Sequence, residues 1–123
     1  MGVLNLSYGL YHTLDQKRWY AGDFSSENKL TGTIYTDKDR SSAKNLTGYT
    51  LTVRIYSRWY AGDRFNKTAS IVTAASGTWS YAVADGEIPA AGLYLVKIEL
   101  SKSGVVESTL NSEELLILEG PTA

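Results

Sequence analysis

The chain alternates hydrophobic and polar residues over several short runs, the pattern of β-strands that bury one face. In the clearest run, Leu51, Val53 and Ile55 share one side, while threonines and an arginine occupy the other. Two further runs repeat the pattern, and their expected inward-facing residues are Trp79, Tyr81, Val83, Tyr94, Val96, Ile98 and Leu100. Each run therefore predicts a strand with one side in a core.

Turn signals separate these runs at short spacing. Ser103-Gly104 lies between two alternating runs and predicts a tight hairpin. Weaker strands are expected at residues 30–36, 68–73, 105–110 and 115–119. About seven short strands with frequent turns predict an all-β fold, and more specifically an immunoglobulin-like antiparallel β-sandwich.

The pattern divides the chain into three parts. Residues 1–18 are interpreted as an N-terminal extension or arm, residues 19–119 as the sandwich and residues 120–123 as a tail. Within the first part, one alternating row holds Leu4, Leu6, Tyr8 and Leu10. Because exposed apolar strands aggregate, we expect this row to be covered, either as a strand added to the domain or as an arm on a neighbouring subunit. The sequence favours the neighbour, because the sandwich pattern starts only at Trp19.

The hexapeptide Arg-Trp-Tyr-Ala-Gly-Asp occurs twice, at residues 18–23 and 58–63, with different flanking sequences. One interpretation is a pair of hairpin turns in which Gly22 and Gly62 supply a positive φ angle. A second interpretation is a contact surface built from four loop aromatics, and both remain open for those aromatics. The four are Trp19, Tyr20, Trp59 and Tyr60.

Composition narrows the function more by exclusion than by motif. The chain has 123 residues, no cysteine and a net charge of −1, which fits one domain without thiolate chemistry or a basic surface for nucleic acid or membranes. His12 is the single histidine and is expected to be a surface or interface residue. Paired carboxylates such as Glu113 and Glu114 are interpreted as solvated. We therefore expect no enzyme activity, no metal site and no cofactor.

Several motifs between Trp19 and Leu118 occur in a recognisable order. They are Tyr20-Ala-Gly-Asp23, Leu46-Thr-Gly-Tyr-Thr-Leu-Thr-Val-Arg-Ile55, the stretch 67–77, Pro89-Ala-Ala-Gly-Leu-Tyr-Leu-Val96 and a final hairpin at 101–118. In this order they resemble the N-terminal domain of phage baseplate upper proteins, an immunoglobulin-like virion module. The resemblance covers about four fifths of the chain.

The resemblance implies a structural protein of a bacteriophage virion, in the tail or baseplate, the neck or the capsid surface. Its implied partners are other virion proteins, with copies of itself among the candidates, and its implied location is the virion, assembled in the host cytoplasm. The alternative is a carbohydrate-binding module, in which Trp19, Tyr20, Trp59 and Tyr60 would stack on sugar rings beside polar groups.

Overall fold

The computed structural model describes residues 8–23, 29–57, 64–84, 87–88 and 91–119, and this part of the chain is all-β. Its ten strands, in chain order, are β1 (Tyr8–His12), β2 (Arg18–Tyr20), β3 (Leu30–Asp37), β4 (Thr50–Ser57), β5 (Arg64–Thr68), β6 (Ser70–Thr73), β7 (Thr78–Tyr81), β8 (Gly92–Lys102), β9 (Val105–Ser108) and β10 (Glu113–Leu118). A single 3₁₀ turn, Ala74–Ser76, precedes β7. No helix in these ranges is long and apolar enough to cross a membrane.

The strands form two sheets. The smaller sheet has the order β1-β3-β7-β6, and the larger sheet has the order β2-β10-β8-β4-β5, with β9 also paired to β8. The prediction of about seven strands is too low, because it did not include β1, β2 and β5. Two extended segments each change from one sheet to the other. One segment gives β1 and β2, and the other gives β5 and β6, which meet at the buried Ala69.

The N-terminal segment belongs to the domain from Tyr8 onward. Strand β1 pairs antiparallel with β3, and β2 pairs parallel with β10. Leu10 and Leu14 lie in the same buried cluster as the central strands. Of the two expected placements, residues 8–18 therefore take the added strand rather than the arm on a neighbour.

The inner faces of both sheets supply one hydrophobic core. The predicted inward rows on β4 and β8 are confirmed, and Trp79 and Val83 are buried as well, whereas Tyr81 is only partly buried. Ile34 and Trp79 from the smaller sheet share this cluster with Val53 and Ile98 from the larger one. The architecture is therefore sandwich-like, with one core between two sheets.

The predicted hairpin at Ser103-Gly104 is confirmed. Both residues have positive φ angles, 52° and 81°, which is the conformation of a two-residue type I′ turn. Lys102 and Val105 pair on either side of it. The turn thus fixes the register of β8 against β9.

Strands β9 and β10 both pair with the same edge of β8, and a bulge separates them. Glu99 pairs with Ser108, whereas Val96 pairs with Glu113, so the second strand contains two extra residues between these pairs. At the bulge the hydroxyl of Thr109 accepts a hydrogen bond from the Ile98 amide at 3.2 Å. The residues that follow Thr109 therefore turn away from β8 and reach β1.

Candidate interaction surface

The outer face of the larger sheet carries a continuous apolar strip. Side chains directly opposite each other on paired strands share a face, and the register places Leu116 opposite Leu93, Leu95 opposite Tyr56, and Leu118 opposite Tyr20. Tyr20 and Leu116 are exposed, with 46% and 38% of their surface accessible. The other members are half-buried, and the strip consists of Tyr20, Tyr56, Leu93, Leu95, Leu116 and Leu118.

Charged residues border the strip, because Arg18 lies opposite Leu116 and Glu114 lies opposite Leu95. In the next row of the sheet Arg54 lies opposite Lys97, and Arg54 forms a 3.2 Å ion pair with Glu99. The Nε of Arg54 also donates a hydrogen bond to the side chain of Asn66 at 3.2 Å. A shallow depression beside the strip is lined by Arg54, Tyr56, Asn66 and Lys97. The surface thus has an apolar centre and a polar margin, the arrangement found in protein–protein interfaces.

The two aromatics of β2 point in different directions. Trp19 packs against the hydrophobic core, and its indole N–H donates a hydrogen bond to the Asp23 carbonyl at 3.1 Å. Tyr20 points outward, because successive side chains of a strand alternate between its faces. The pair expected to form one aromatic platform is therefore split, and only Tyr20 belongs to the exposed surface.

The first copy of the hexapeptide ends in a turn, as predicted. Gly22 has a φ of 84°, and the Asp23 amide donates a hydrogen bond to the Tyr20 carbonyl at 3.0 Å. The second copy, with Trp59, Tyr60 and Gly62, lies outside the described residues. Its predicted role in contacts remains a prediction.

The predicted apolar row of the N-terminal segment is interrupted. Leu10 is buried in this domain, but the register of β1 against β3 shifts between Tyr8 and Tyr11, because Gly9 and Leu10 lie opposite Thr36 alone. Such a bulge reverses the alternation of faces, so one row cannot continue unbroken across it. Leu4 and Leu6 lie outside the described residues, and of Tyr8 only the backbone is described.

His12 is a core residue, which corrects the expectation of a surface or interface histidine. It is 0% exposed, and it continues the inward row between Leu10 and Leu14. Burial lowers the pKa of its imidazole to about 4, although the negative charge of Glu113 acts in the opposite direction. The ring is therefore neutral at pH 7.

The described titratable groups serve structural contacts. The carboxylate of Asp37 accepts hydrogen bonds from the amides of Ser41 and Ser42 and from the Ser41 hydroxyl, so it stabilises the loop after β3. Burial, and then Glu87, raise the pKa of Tyr81, whose hydroxyl donates a 2.5 Å hydrogen bond to that carboxylate. Among the residues described, no three His, Cys, Asp or Glu side chains group as metal ligands.

The outer face of the smaller sheet has a different chemistry. Thr31 lies opposite Ser80, Thr33 lies opposite Thr78, and Ser70 also pairs with Ser80. The side chain of Gln16 and the hydroxyl of Thr13 accept hydrogen bonds from the amides of Thr31 and Thr33. This face therefore presents hydroxyl groups where the larger sheet presents leucines.

Sequence reasoning found Tyr20 but missed the remainder of the strip. The signal was present, since Leu93, Leu95, Leu116 and Leu118 occupy the side of their strands opposite to the inward rows. A strand that is apolar on both sides is typical of a sheet covered on both faces. No protein-family model matches the chain, and no curated protein matches it.

Proposed function

We propose that this chain is a non-enzymatic structural subunit of a bacteriophage virion that acts through protein–protein contacts. The observation that carries the proposal is the apolar strip on the outer face of the larger sheet. Single exposed apolar residues are ordinary on protein surfaces. A contiguous set across four strands is characteristic of a surface that another protein covers.

The finer fold assignment in this proposal is an immunoglobulin-like sandwich. Its support is the strand order. If the strands are named in the immunoglobulin manner, β1-β3-β7-β6 corresponds to A-B-E-D, and β10-β8-β4-β5 corresponds to G-F-C-C′. The outer face that carries the strip is then that of the G-F-C sheet. Tyr94 near the start of β8 occupies the place of the tyrosine of the immunoglobulin corner.

The virion assignment rests on the ordered motifs between Trp19 and Leu118, which resemble the phage baseplate upper protein module. On this basis the partners are other virion proteins, with copies of itself among the candidates, and the location is the virion. A net charge of −1 supports neither nucleic acid nor an acidic membrane as the partner. The proposal involves no cofactor.

A carbohydrate-binding function has weaker support. A sugar platform needs aromatic rings on one side of the surface, with polar groups beside them. Trp19 faces the core and Tyr20 faces outward, so the first half of the expected platform does not exist as a unit. The apolar strip, which is made mainly of leucines, fits a protein partner better than a hydroxyl-rich ligand.

The test is particle incorporation by variants expressed from the native genome of the phage. The full chain is expected to sediment with the assembled particles in a density gradient. Leu116→Lys places a charge in the middle of the strip and is expected to remain at the top of the gradient, because a desolvated unpaired charge opposes association.

The matched control is Val72→Lys. Val72 is an exposed apolar residue on β6, in the smaller sheet, so the same chemical change falls outside the strip. This variant is expected to sediment with the particles as the unmodified chain does. If the chain never sediments with particles, the virion assignment is wrong. If both variants are incorporated equally, the strip is not the contact surface.

A further inference from the structure

His12 occupies a position that does not satisfy its chemistry. It lies between Leu10 and Leu14 in the inward row that begins on β1, and it is 0% exposed. Neither ring nitrogen has a hydrogen-bond partner of good geometry. The backbone at Thr13, Val96 and Asn111 lies close enough to favour the protonated ring, but burial outweighs it. A buried polar group without a partner is costly, and a charged one far more so, because no water replaces the lost hydration.

The backbone around His12 is held at the outer edge of β1. The side-chain amide of Asn111 donates a hydrogen bond to the His12 carbonyl at 2.8 Å and accepts one from the His12 amide at 2.9 Å. The Leu110 amide donates to the Leu10 carbonyl at 2.7 Å. The bulge between β9 and β10 thus clamps β1 against β3, and it closes the edge of the smaller sheet at this point.

One charged group acts on the ring from the elements packed around it. Glu113, at the start of β10, is the anion whose charge favours protonation of His12. That carboxylate already forms ion pairs with Lys17 at 3.6 Å and Arg40 at 3.3 Å, and it accepts a hydrogen bond from Asn111. Glu113 is therefore engaged elsewhere and does not compensate for a buried imidazolium.

We propose that His12 is an acid-sensitive latch, and that its protonation releases the segment 8–15 from the fold while the pairing of β4 with β8 persists. The segment is suited to local release because it forms an edge. Its backbone attachments are the β1–β3 pairing, the Asn111 clamp, the Leu110–Leu10 bond and two bonds at 2.9 Å, from Thr13 N to Thr33 O and from Asp15 N to Thr31 O. The side chains of Thr13 and Asp15 also bond to β3, and Leu10 and Leu14 are buried, so release exposes both leucines.

The direction of the pH dependence follows from the pKa of His12. In the closed state the pKa is about 4, and in the released segment it returns to about 6.5. Release is thus independent of pH above 6.5 and becomes more favourable as the pH falls toward 4, because only the released histidine binds a proton. Linkage gives about a 20-fold increase in the opening equilibrium between pH 7 and pH 5. This interval lies above the usual range of carboxylates.

Release would have a consequence for assembly. The freed segment carries Leu10 and Leu14, which are the kind of alternating apolar side chains through which an extended strand binds the edge of another sheet. Release also removes the connection between the two sheets that this segment makes, since β1 pairs with β3 and β2 pairs with β10. The latch itself does not depend on the virion assignment.

The test is amide hydrogen exchange of the full chain, measured by NMR at pH 7 and pH 5 and corrected for the intrinsic rates. Protection of the Thr13 and Asp15 amides is expected to fall about 20-fold, whereas that of Val53 and Ile98 is expected to stay constant. His12→Leu, which continues the row of leucines, is expected to show no fall at Thr13 and Asp15.

Three results would overturn the latch. They are constant protection at Thr13 and Asp15 in the unmodified chain, an equal loss of protection in β4 and β8, and the same loss at Thr13 and Asp15 in His12→Leu. Should His12→Leu fail to fold, the ring of His12 is titrated directly by NMR in the unmodified chain. An apparent pKa below 5 supports the latch, and an apparent pKa near 6.5 contradicts it.

Discussion

The two sheets bury similar inner faces but present different outer faces. On the smaller sheet the outward residues of β3 and β7 are threonines, a serine and Tyr35, which lies opposite Tyr11 of β1. Nearby side chains hydrogen-bond to the backbone of β3. On the larger sheet four leucines and two tyrosines adjoin one another across four strands, and Arg18 and Glu114 share that face beside them. The hydroxyl face matches ordinary solvated β-structure, whereas the leucine face matches a surface that is covered.

The inner and outer faces of the larger sheet serve different purposes: the inner face stabilises the fold, and the outer face favours association with a partner. The inward side chains of both sheets account for the core, so the outer leucines are not needed to form it. Completing the burial of one half-exposed leucine against a partner contributes about 1 kcal/mol. Several such residues in one strip therefore favour binding without altering the fold.

The largest expected effect comes from two adjacent residues of β10. Leu115 faces the core and is completely buried, whereas Leu116 belongs to the outer strip. Leu115→Ala is expected to lower the free energy of unfolding by about 2–5 kcal/mol, and Leu116→Ala by less than about 0.5 kcal/mol. Urea denaturation of both variants measures the difference. Equal losses would mean that the outer strip is part of the core.

A second prediction concerns the inner side of the smaller sheet. A Cβ atom at Gly32 would lie 2.0 Å from the Thr13 carbonyl oxygen and 2.9 Å from the indole of Trp79. Because a backbone atom blocks the site, Gly32→Ala is expected to lower the free energy of unfolding by about 1–3 kcal/mol or more. Thermal unfolding measures the loss. A variant as stable as the unmodified chain would show that the N-terminal crossing is not packed this closely.

The smallest expected effect lies at the polar margin of the strip. Arg54 and Glu99 form an ion pair in which both side chains remain partly exposed. Such pairs contribute little, so a double-mutant cycle with Arg54→Gln and Glu99→Gln is expected to give a coupling below about 1 kcal/mol, decreasing with added salt. A larger coupling that is insensitive to salt would show that the margin contributes to the fold.

Alternation predicted the parts of the structure that depend on local pattern. The inward rows of β4 and β8 and the turn at Ser103-Gly104 follow from parity and turn chemistry, and they are confirmed. Long-range geometry was beyond this reasoning. Nothing local shows that β2 pairs in parallel with β10, or that the bulge after Thr109 brings Asn111 to β1.

The same limit explains the errors at the N-terminus. Whether Leu10 and His12 join the core or an arm depends on an edge of β3 that is distant in sequence. His12 was predicted to be a surface or interface residue because a single histidine without metal-ligand spacing carries no further signal, and only the position of the ring reveals its burial. For the outer strip, the sequence shows that β8 is apolar on both sides. It does not show that β10 and β2 lie beside β8 and extend the strip.

Hydroxyl-radical footprinting of the full chain, free and in assembled particles, tests the central claim most directly. In the free chain, Tyr20, Leu116 and Val72 are all expected to be oxidised, because all three are exposed. In the particle, Tyr20 and Leu116 are expected to become protected while Val72 on the smaller sheet reacts as before. Protection of Val72 with continued oxidation of Tyr20 and Leu116 would contradict the account.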